Sequence, residues 1–173
     1  MTEQPLSRNL PFEAPLWPAG AAGLRPSLGQ IGLQQFAPYL INSVSLSWTT
    51  HLAAALKPHD LTTTKMRALA ILSITSPLTI NELSLYTLTE QSTMSRTLDA
   101  LEEQGFLQRR ARPEDLRVRD VHITEPGRAA FTRVWPEMYD LLLKAFDGVD
   151  NEEYSAFTAT LHKVIANIRK HGI

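Results

Sequence analysis

The chain has 173 residues, 43% of them hydrophobic, and no cysteine, so it can bury a core but can form no disulfide, thiolate metal site or thiol-based sensor. No apolar run reaches the roughly 18 residues of a membrane span, and no signal-peptide pattern opens the chain, so we expect a cytoplasmic protein. Its 17 basic and 18 acidic residues give a net charge of −1, which taken alone argues against a nucleic-acid partner.

Residues 1–37 are predicted to form an irregular arm rich in proline and glycine. Prolines at positions 5, 11, 15, 18 and 26 are too closely spaced for a helix, because each removes a backbone donor and restricts its predecessor. The first helix begins either near Ser27, with a bend at Pro38, or at Pro38 itself. The sequence leaves both starts open.

The rest of the chain is predicted to be mainly helical. Apolar residues recur every three or four positions, which predicts helices over 38–57, 62–76, 82–88, 90–104, 125–146 and 150–170. Inward positions on the second of these helices are Met66, Leu69, Ala70 and Ile74. Capping-box spacing marks two helix starts, Thr79 with Glu82 and Asp150 with Glu153.

A β-hairpin is predicted between the fourth and fifth helices. Its strands are 106–112 and 117–124, and the turn between them contains Pro113 and Asp115, residue types that favour tight turns. The order helix, helix, short extended piece, helix, helix, hairpin is typical of a winged helix-turn-helix. The predicted fold class is therefore mainly α with a small β-hairpin wing; the alternative is a generic helical bundle with an incidental hairpin.

Two segments carry residue types suited to DNA. On the 90–104 helix, the positions not used for packing near the amino end are Ser92, Thr93, Ser95 and Arg96. Short hydroxyls and an arginine at a helix amino end suit phosphates and base edges, although a solvated polar face looks the same. The hairpin carries five arginines and no lysine against two acids, a local charge of +3: Arg109, Arg110, Arg112, Arg117 and Arg119 against Glu114 and Asp115. Arginine suits phosphate and narrow minor grooves.

At this point the sequence resembles the MarR family of regulators, over roughly residues 38–173. The segments that carry the resemblance are Glu82-Leu83-Ser84, Ser92-Thr93-Met94-Ser95-Arg96, Leu98-Asp99, Leu101-Glu102, Gly105-Phe106-Leu107, Arg109, Asp115-Leu116-Arg117 and Ile123-Thr124-Glu125-Pro126-Gly127. The resemblance implies an obligate homodimer on palindromic DNA, with Asp115 and Arg117 orienting the wing tip and reaching the minor groove. The implied DNA-binding set is Ser92, Thr93, Ser95, Arg96, Arg110, Arg112, Asp115 and Arg117.

The resemblance also implies that two regions of the chain have different roles. Residues 61–124 would form the DNA-binding lobe, and residues 38–60 with 125–173 the helical dimerisation region. Some positions depart from the family pattern. Thr87 and Thr89 stand where an aliphatic side chain is usual, Leu88 where glycine is frequent, and Leu116 where a second arginine is common at the wing tip.

A small-molecule effector is a further implication of the resemblance. Members often bind phenolic or carboxylated aromatic compounds beside the dimerisation helices, and the residues expected there are Trp48, His51, Met66 and Arg67. The alternative is that Trp48 and Met66 belong to the core while His51 and Arg67 are merely solvated.

Catalytic and metal-binding classes find no support in the sequence. The five histidines show no metal-ligand spacing, and none of the common nucleophile, zinc-protease, dinucleotide or P-loop motifs occurs. We therefore expect no enzyme, metal or cofactor. The predicted function is a dimeric DNA-binding regulator, most simply a repressor released by a small aromatic ligand. The competing hypothesis is a winged-helix module that binds a protein instead.

Overall fold

The computed structural model describes residues 28–113 and 115–172, which divide into two compact units between Ala54 and Ala55. Seven helices lie in this part of the chain: α1 Leu28–Ile31, α2 Ala37–Leu56, α3 Thr63–Ile74, α4 Ile80–Thr87, α5 Gln91–Glu103, α6 Glu125–Ala145 and α7 Asn151–His171. The strands are β1 Leu78–Thr79, β2 Leu107–Arg112 and β3 Asp115–Ile123. Among the described residues, no helix combines the length and apolar character needed to cross a membrane.

The first unit contains α1, a 3₁₀ turn at Leu33–Gln35 and most of α2. The long helix starts at Ala37, next to the second of the two predicted starts, and the four-residue α1 before it is a separate helix. Pro38 lies in the first turn of α2, where a missing N–H costs no helical hydrogen bond. Residues 1–27 of the predicted arm lie outside the described residues, and residues 28–37 contain α1, the 3₁₀ turn and the start of α2.

The core of the second unit lies between α3, α4, α5 and the sheet. Its fully buried side chains are those of Leu69, Leu72, Leu83, Met94, Leu98, Leu101, Leu107 and Val121. On α3 the predicted inward position of Ile74 is wrong, since this side chain is 82% exposed. Leu72 takes the inward place instead, and Ile74, two residues on, is turned about 200° around the helix.

A three-stranded antiparallel sheet in the order β1-β3-β2 forms the wing and its base. The predicted hairpin is present, and the short extended piece before α4 is β1, which pairs Leu78 with Val121. The β3 strand begins at Asp115, two residues before the predicted start. The register shifts between Ala111 and Arg112, so the tip of the hairpin is irregular.

The start of α6 is fixed by a close approach of two backbones. Thr124 caps the helix, its hydroxyl accepting from Gly127 N at 3.2 Å and donating to the Gly105 carbonyl at 2.7 Å. A Cβ atom on Gly127 would overlap the Phe106 carbonyl oxygen and lie 3.0 Å from Cγ1 of Ile123. Glycine is therefore required for α6 to sit at the base of the wing.

The two carboxy-terminal helices expose a large apolar surface. The predicted Asp150–Glu153 capping box at the start of α7 is confirmed. Phe146 contacts the rings of Tyr154 and Phe157, with centroids 4.9 and 6.0 Å apart. Exposed apolar side chains on α6 and α7 include those of Trp135, Tyr139, Leu143, Phe157, Val164, Ile165 and Ile168.

The turn between α4 and α5 holds a leucine in a strained backbone conformation. The predicted Thr79–Glu82 capping box opens α4, and Leu88 ends it at φ 53°, ψ 46°, the left-handed region that favours glycine. Its side chain is 83% exposed. Thr87 before it is buried, and its hydroxyl is satisfied by donating to the Leu83 carbonyl at 2.6 Å.

We expect Leu88→Gly to stabilise the protein by about 0.5–1 kcal/mol. The left-handed conformation costs a non-glycine residue about 1–2 kcal/mol, whereas glycine's extra unfolded-state entropy costs about 0.5–1 kcal/mol. The measurement is the urea unfolding free energy. Leu85→Gly, at another exposed leucine but inside α4, is the matched control and should destabilise by about 1 kcal/mol. Equal destabilisation by both changes would contradict the assigned strain.

Candidate nucleic-acid interface

The first turn of α5 presents a polar, exposed surface. Met94, Leu98 and Leu101 are buried at positions i, i+4 and i+7, so the helix turns its other side outward. Ser92, Thr93 and Arg96 are exposed and Ser95 is half-buried. The N-cap residue Glu90 makes no side-chain cap hydrogen bond, which leaves first-turn N–H groups open to an outside acceptor. The structure thus places the four predicted helix residues within the first two turns of α5.

A side-chain hydrogen bond fixes α4 against the start of α5. The Nε2 group of Gln91, the first residue of α5, donates to Oδ1 of Asn81 in the first turn of α4. Arg96 folds back along its own helix, with Nε donating to the Ser92 carbonyl at 3.3 Å. The amino end of the candidate recognition helix is therefore held in place before any partner binds.

Two of the five hairpin arginines are bound by carboxylates of the fold. Arg109 donates from its backbone N and from Nε to the two oxygens of Glu102, each at 2.8 Å, and from a terminal nitrogen to Asp99 at 2.7 Å. Arg112 forms a bidentate pair with Asp120, at 3.1 and 2.6 Å. The first contact ties the wing to α5, and the second ties the two wing strands together.

The other three hairpin arginines, Arg110, Arg117 and Arg119, are exposed. In the ranges that the structure describes, no carboxylate pairs with any of them. At the tip, Asp115 Oδ1 accepts from Arg117 N at 3.0 Å, which orients the backbone that carries Arg117. Three of the five hairpin arginines, those without a described carboxylate partner, are thus available to bind an outside anion.

The predicted DNA-binding set remains a prediction, but two of the hairpin arginines have surroundings that the sequence did not indicate. Arg112 was expected among the DNA-binding residues, but its guanidinium is held by Asp120. Arg119 was left out, yet it is exposed and lies two residues along β3 from Arg117, on the same face of the strand. Strand alternation was the signal that could have paired Arg119 with Arg117 from the sequence.

Three carboxylates that hold this surface have lowered pKa values. Hydrogen bonds from the side chain and then the backbone N–H of Arg109 hold the pKa of Glu102 below its ordinary 4.5. The backbone N–H and then the hydroxyl of Thr79 do the same for the pKa of Glu82. The hydrogen-bonded guanidinium of Arg112 lowers the pKa of Asp120. Each carboxylate is thus favoured in its charged form by the folded state.

We expect the stabilisation from Glu102 to be present at neutral pH and lost in acid. Because the folded pKa lies below the unfolded one, this contribution is complete above the ordinary value of 4.5 and fades as the pH falls below it. The measurement is the unfolding free energy of wild type and Glu102→Gln at pH 7 and pH ~3. The difference between them should shrink in acid. Glu103→Gln, a change at the exposed neighbour, is the control, and a difference that stays constant with pH would contradict the assignment.

The residues predicted to bind an effector fall in different units. Trp48 and His51 lie on α2 in the first unit, and Met66 and Arg67 lie on α3 in the second. Met66 is buried in the core, as the alternative interpretation expected. Arg67 is half-exposed. His51 is exposed, and its Nδ1–H donates to the Ser47 carbonyl at 2.8 Å. Trp48 is half-buried.

Three known proteins similar to this chain are transcriptional regulators. A sequence model of the MarR family matches residues 59–117. The crystal structure of a MarR-family transcriptional regulator from Silicibacter pomeroyi is 40% identical, with a TM-score of 0.78 over 86% of this chain and 100% of that one. An uncharacterised HTH-type transcriptional regulator of Bacillus cereus is 33% identical over 68% of this chain and 76% of its own length. The HTH-type transcriptional repressor IacR of Pseudomonas putida is 26% identical over 83% and 86%.

Proposed function

Because this chain belongs to the MarR family of transcriptional regulators, we propose that it is a homodimeric repressor that binds palindromic double-stranded DNA and is released by a small aromatic or phenolic effector. One observation carries the DNA-binding part. The exposed hydroxyls and Arg96 on the first two turns of α5 accompany three wing arginines that no described carboxylate neutralises. Hydroxyls and arginines of this kind meet base edges and phosphates.

The net charge of −1 does not oppose this proposal, because the charge is segregated. Three of the described acidic groups near the wing are bound within the fold: Asp99 and Glu102 by Arg109, and Asp120 by Arg112. The remaining wing cations, Arg110, Arg117 and Arg119, set the local field that an approaching phosphate backbone meets. Electrostatic steering depends on this local field more than on the net charge.

The exposed apolar surface of α6 and α7 supports a homodimer. Trp135, Tyr139, Phe157 and Ile165 are all exposed, and a water-facing surface of this kind usually marks an interface. A two-fold dimer would present two copies of α5 about 34 Å apart, one turn of DNA. In this proposal residues 61–124 form the DNA-binding lobe, and residues 38–60 with 125–173 form the dimerisation region.

The repressor part rests on a named relative, and the effector part on side chains of α2 and α3. The relative IacR is named a repressor. For the effector, His51 carries its hydrogen on Nδ1, so Nε2 of the neutral ring is an acceptor that suits a phenolic hydroxyl. In the second unit Arg67 is a half-exposed cation, and in the first unit Trp48 is a half-buried aromatic side chain. These residues, with Met66, are the ones to vary first when an effector is sought.

The decisive experiment is footprinting on DNA upstream of the protein's own gene. We expect a protected near-palindrome, binding that weakens steeply with salt, and release by an aromatic acid or phenol. Size measurement by sedimentation tests the dimer in the same samples. Absence of any protected sequence, together with salt-tolerant capture of a protein, would favour the winged-helix protein-interaction module instead.

A further inference from the structure

A cleft of about 330 Å³ lies between the start of α4 and strand β3 of the wing. Its lining consists of Thr79, Ile80, Asn81, Arg117, Val118 and Arg119. At about 30 Å³ per water molecule, it has room for a phosphate group with its ester oxygens. It is separate from the first turn of α5 and contains residues that the predicted DNA-binding set lacks.

The donors in this cleft are cationic or neutral and lack intramolecular acceptors. Arg117 and Arg119 are exposed and pair with no carboxylate in the described ranges. The Asn81 Oδ1 atom already accepts a hydrogen bond from Gln91. The Nδ2–H₂ group of the same side-chain amide is therefore the part left to bind a ligand, as a donor. Two guanidinium groups and an amide donor therefore line the same cleft.

Two carboxylates near the cleft, those of Glu82 and Asp120, are hydrogen-bonded to other groups of the fold. The Glu82 carboxylate turns back onto Thr79, accepting from its backbone N and its hydroxyl at 2.7 Å each. Asp120 is held by Arg112 and, by strand alternation, lies on the opposite face of β3 from Arg119. Both of these described carboxylates are thus engaged away from the cleft, while Asp115, at the wing tip, accepts from Arg117 N.

We infer that this cleft seats a backbone phosphate of the bound DNA, with Arg119 and Asn81 as positioning residues between the helix-turn-helix and the wing. The inference rests on the proposed function, since the phosphate belongs to the same DNA duplex. Through the Asn81–Gln91 hydrogen bond, a phosphate in the cleft would also be linked to the first residue of α5. Such a contact fixes the position of the lobe on DNA and carries no sequence information.

The test compares Arg119→Gln with Arg133→Gln, the same charge change at an exposed arginine of α6. The probes are a random-sequence duplex and the footprinted duplex, each titrated over a range of salt. We expect Arg119→Gln to weaken binding to both duplexes about tenfold and to lower the salt slope by about 1 per half-site. The ratio of specific to random affinity should not change. A slope equal to that of Arg133→Gln overturns the inference.

Asn81→Asp supplies a second variant that keeps the fold. The new carboxylate can still accept from Gln91, and an acidic residue in the first turn of α4 suits the helix dipole. We expect thermal stability to hold while binding to both duplexes falls at least as far as for Arg119→Gln. Unchanged binding by Asn81→Asp overturns the assignment of Asn81 and of the cleft.

A third arm separates DNA phosphate from a free anion. Inorganic phosphate is titrated into the DNA-free wild-type protein and Arg119→Gln by calorimetry, and we expect no saturable binding to either. Saturable binding lost in Arg119→Gln, with an unchanged DNA salt slope, would make the cleft a small-anion site and overturn the inference. If wild type binds random DNA but protects no specific sequence, the proposed repressor function fails while the salt slopes still decide the cleft. Failure to bind any duplex overturns both.

Discussion

Replacing Gly127 with alanine is expected to destabilise the protein by about 3 kcal/mol or more. The added methyl group would overlap the Phe106 carbonyl oxygen and lie 2.9 Å from its carbonyl carbon, and both belong to backbone that cannot rotate away. That carbonyl also accepts from Thr124 N at 3.1 Å, so moving it breaks the junction between the wing and α6. Thermal and urea unfolding measure the loss.

Gly148→Ala is the matched control for this change. Gly148 has φ +80°, but no atom lies within 4 Å of an added Cβ, so this substitution carries conformational strain without a clash. Its cost should be about 1 kcal/mol. If both variants lose the same stability, the close approach of α6 to Phe106 is not what selects glycine at position 127.

Arg117→Ala is expected to cause the largest loss of DNA affinity among single wing substitutions. Arg117 is exposed, has no described carboxylate partner and sits on backbone oriented by Asp115. An arginine reading a groove contributes about 1–3 kcal/mol, and a dimer carries two copies. The affinity should therefore fall about thirtyfold or more, as measured by fluorescence anisotropy on the footprinted duplex.

Two comparisons make this result interpretable. Arg133→Ala removes the same charge from an exposed position on α6, outside the candidate nucleic-acid interface but within the proposed dimerisation region. With sedimentation showing an unchanged oligomeric state, its affinity should stay within about threefold of wild type. Arg112→Ala should act through stability, because Arg112 holds Asp120, and should lower the unfolding free energy together with affinity. An Arg117→Ala protein that binds as tightly as wild type contradicts the role of the wing tip in DNA binding.

Local sequence rules predicted the helical framework well, for identifiable reasons. The capping boxes at Thr79 and Asp150 and the buried spacing of Met94, Leu98 and Leu101 depend on residues within two turns of one another. The roles of the hairpin arginines depend on strand register and on α5 packing beside β2, which no local pattern encodes. For that reason the ion pair of Arg112 with Asp120 could not be foreseen from the sequence, and the DNA-binding roles of the hairpin arginines remain predictions.

The error at Ile74 has a related cause. Helical spacing predicts which residues share a face but does not say where that face ends, and α3 stops at Ile74. The effector residues show the same limit on a larger scale. Trp48 with His51 and Met66 with Arg67 were grouped by resemblance, and their joint role remains a prediction because they lie in different units.

The contacts of Arg109 have a mechanical consequence for regulation. By binding Asp99 and Glu102 together, Arg109 joins α5 to strand β2 of the wing. In the proposed regulator, an effector that displaced α5 would therefore displace the wing with it. Such control would change the spacing between the two half-site contacts and leave the recognition of each half-site intact. Operators with one or two inserted central base pairs would therefore respond differently to the effector.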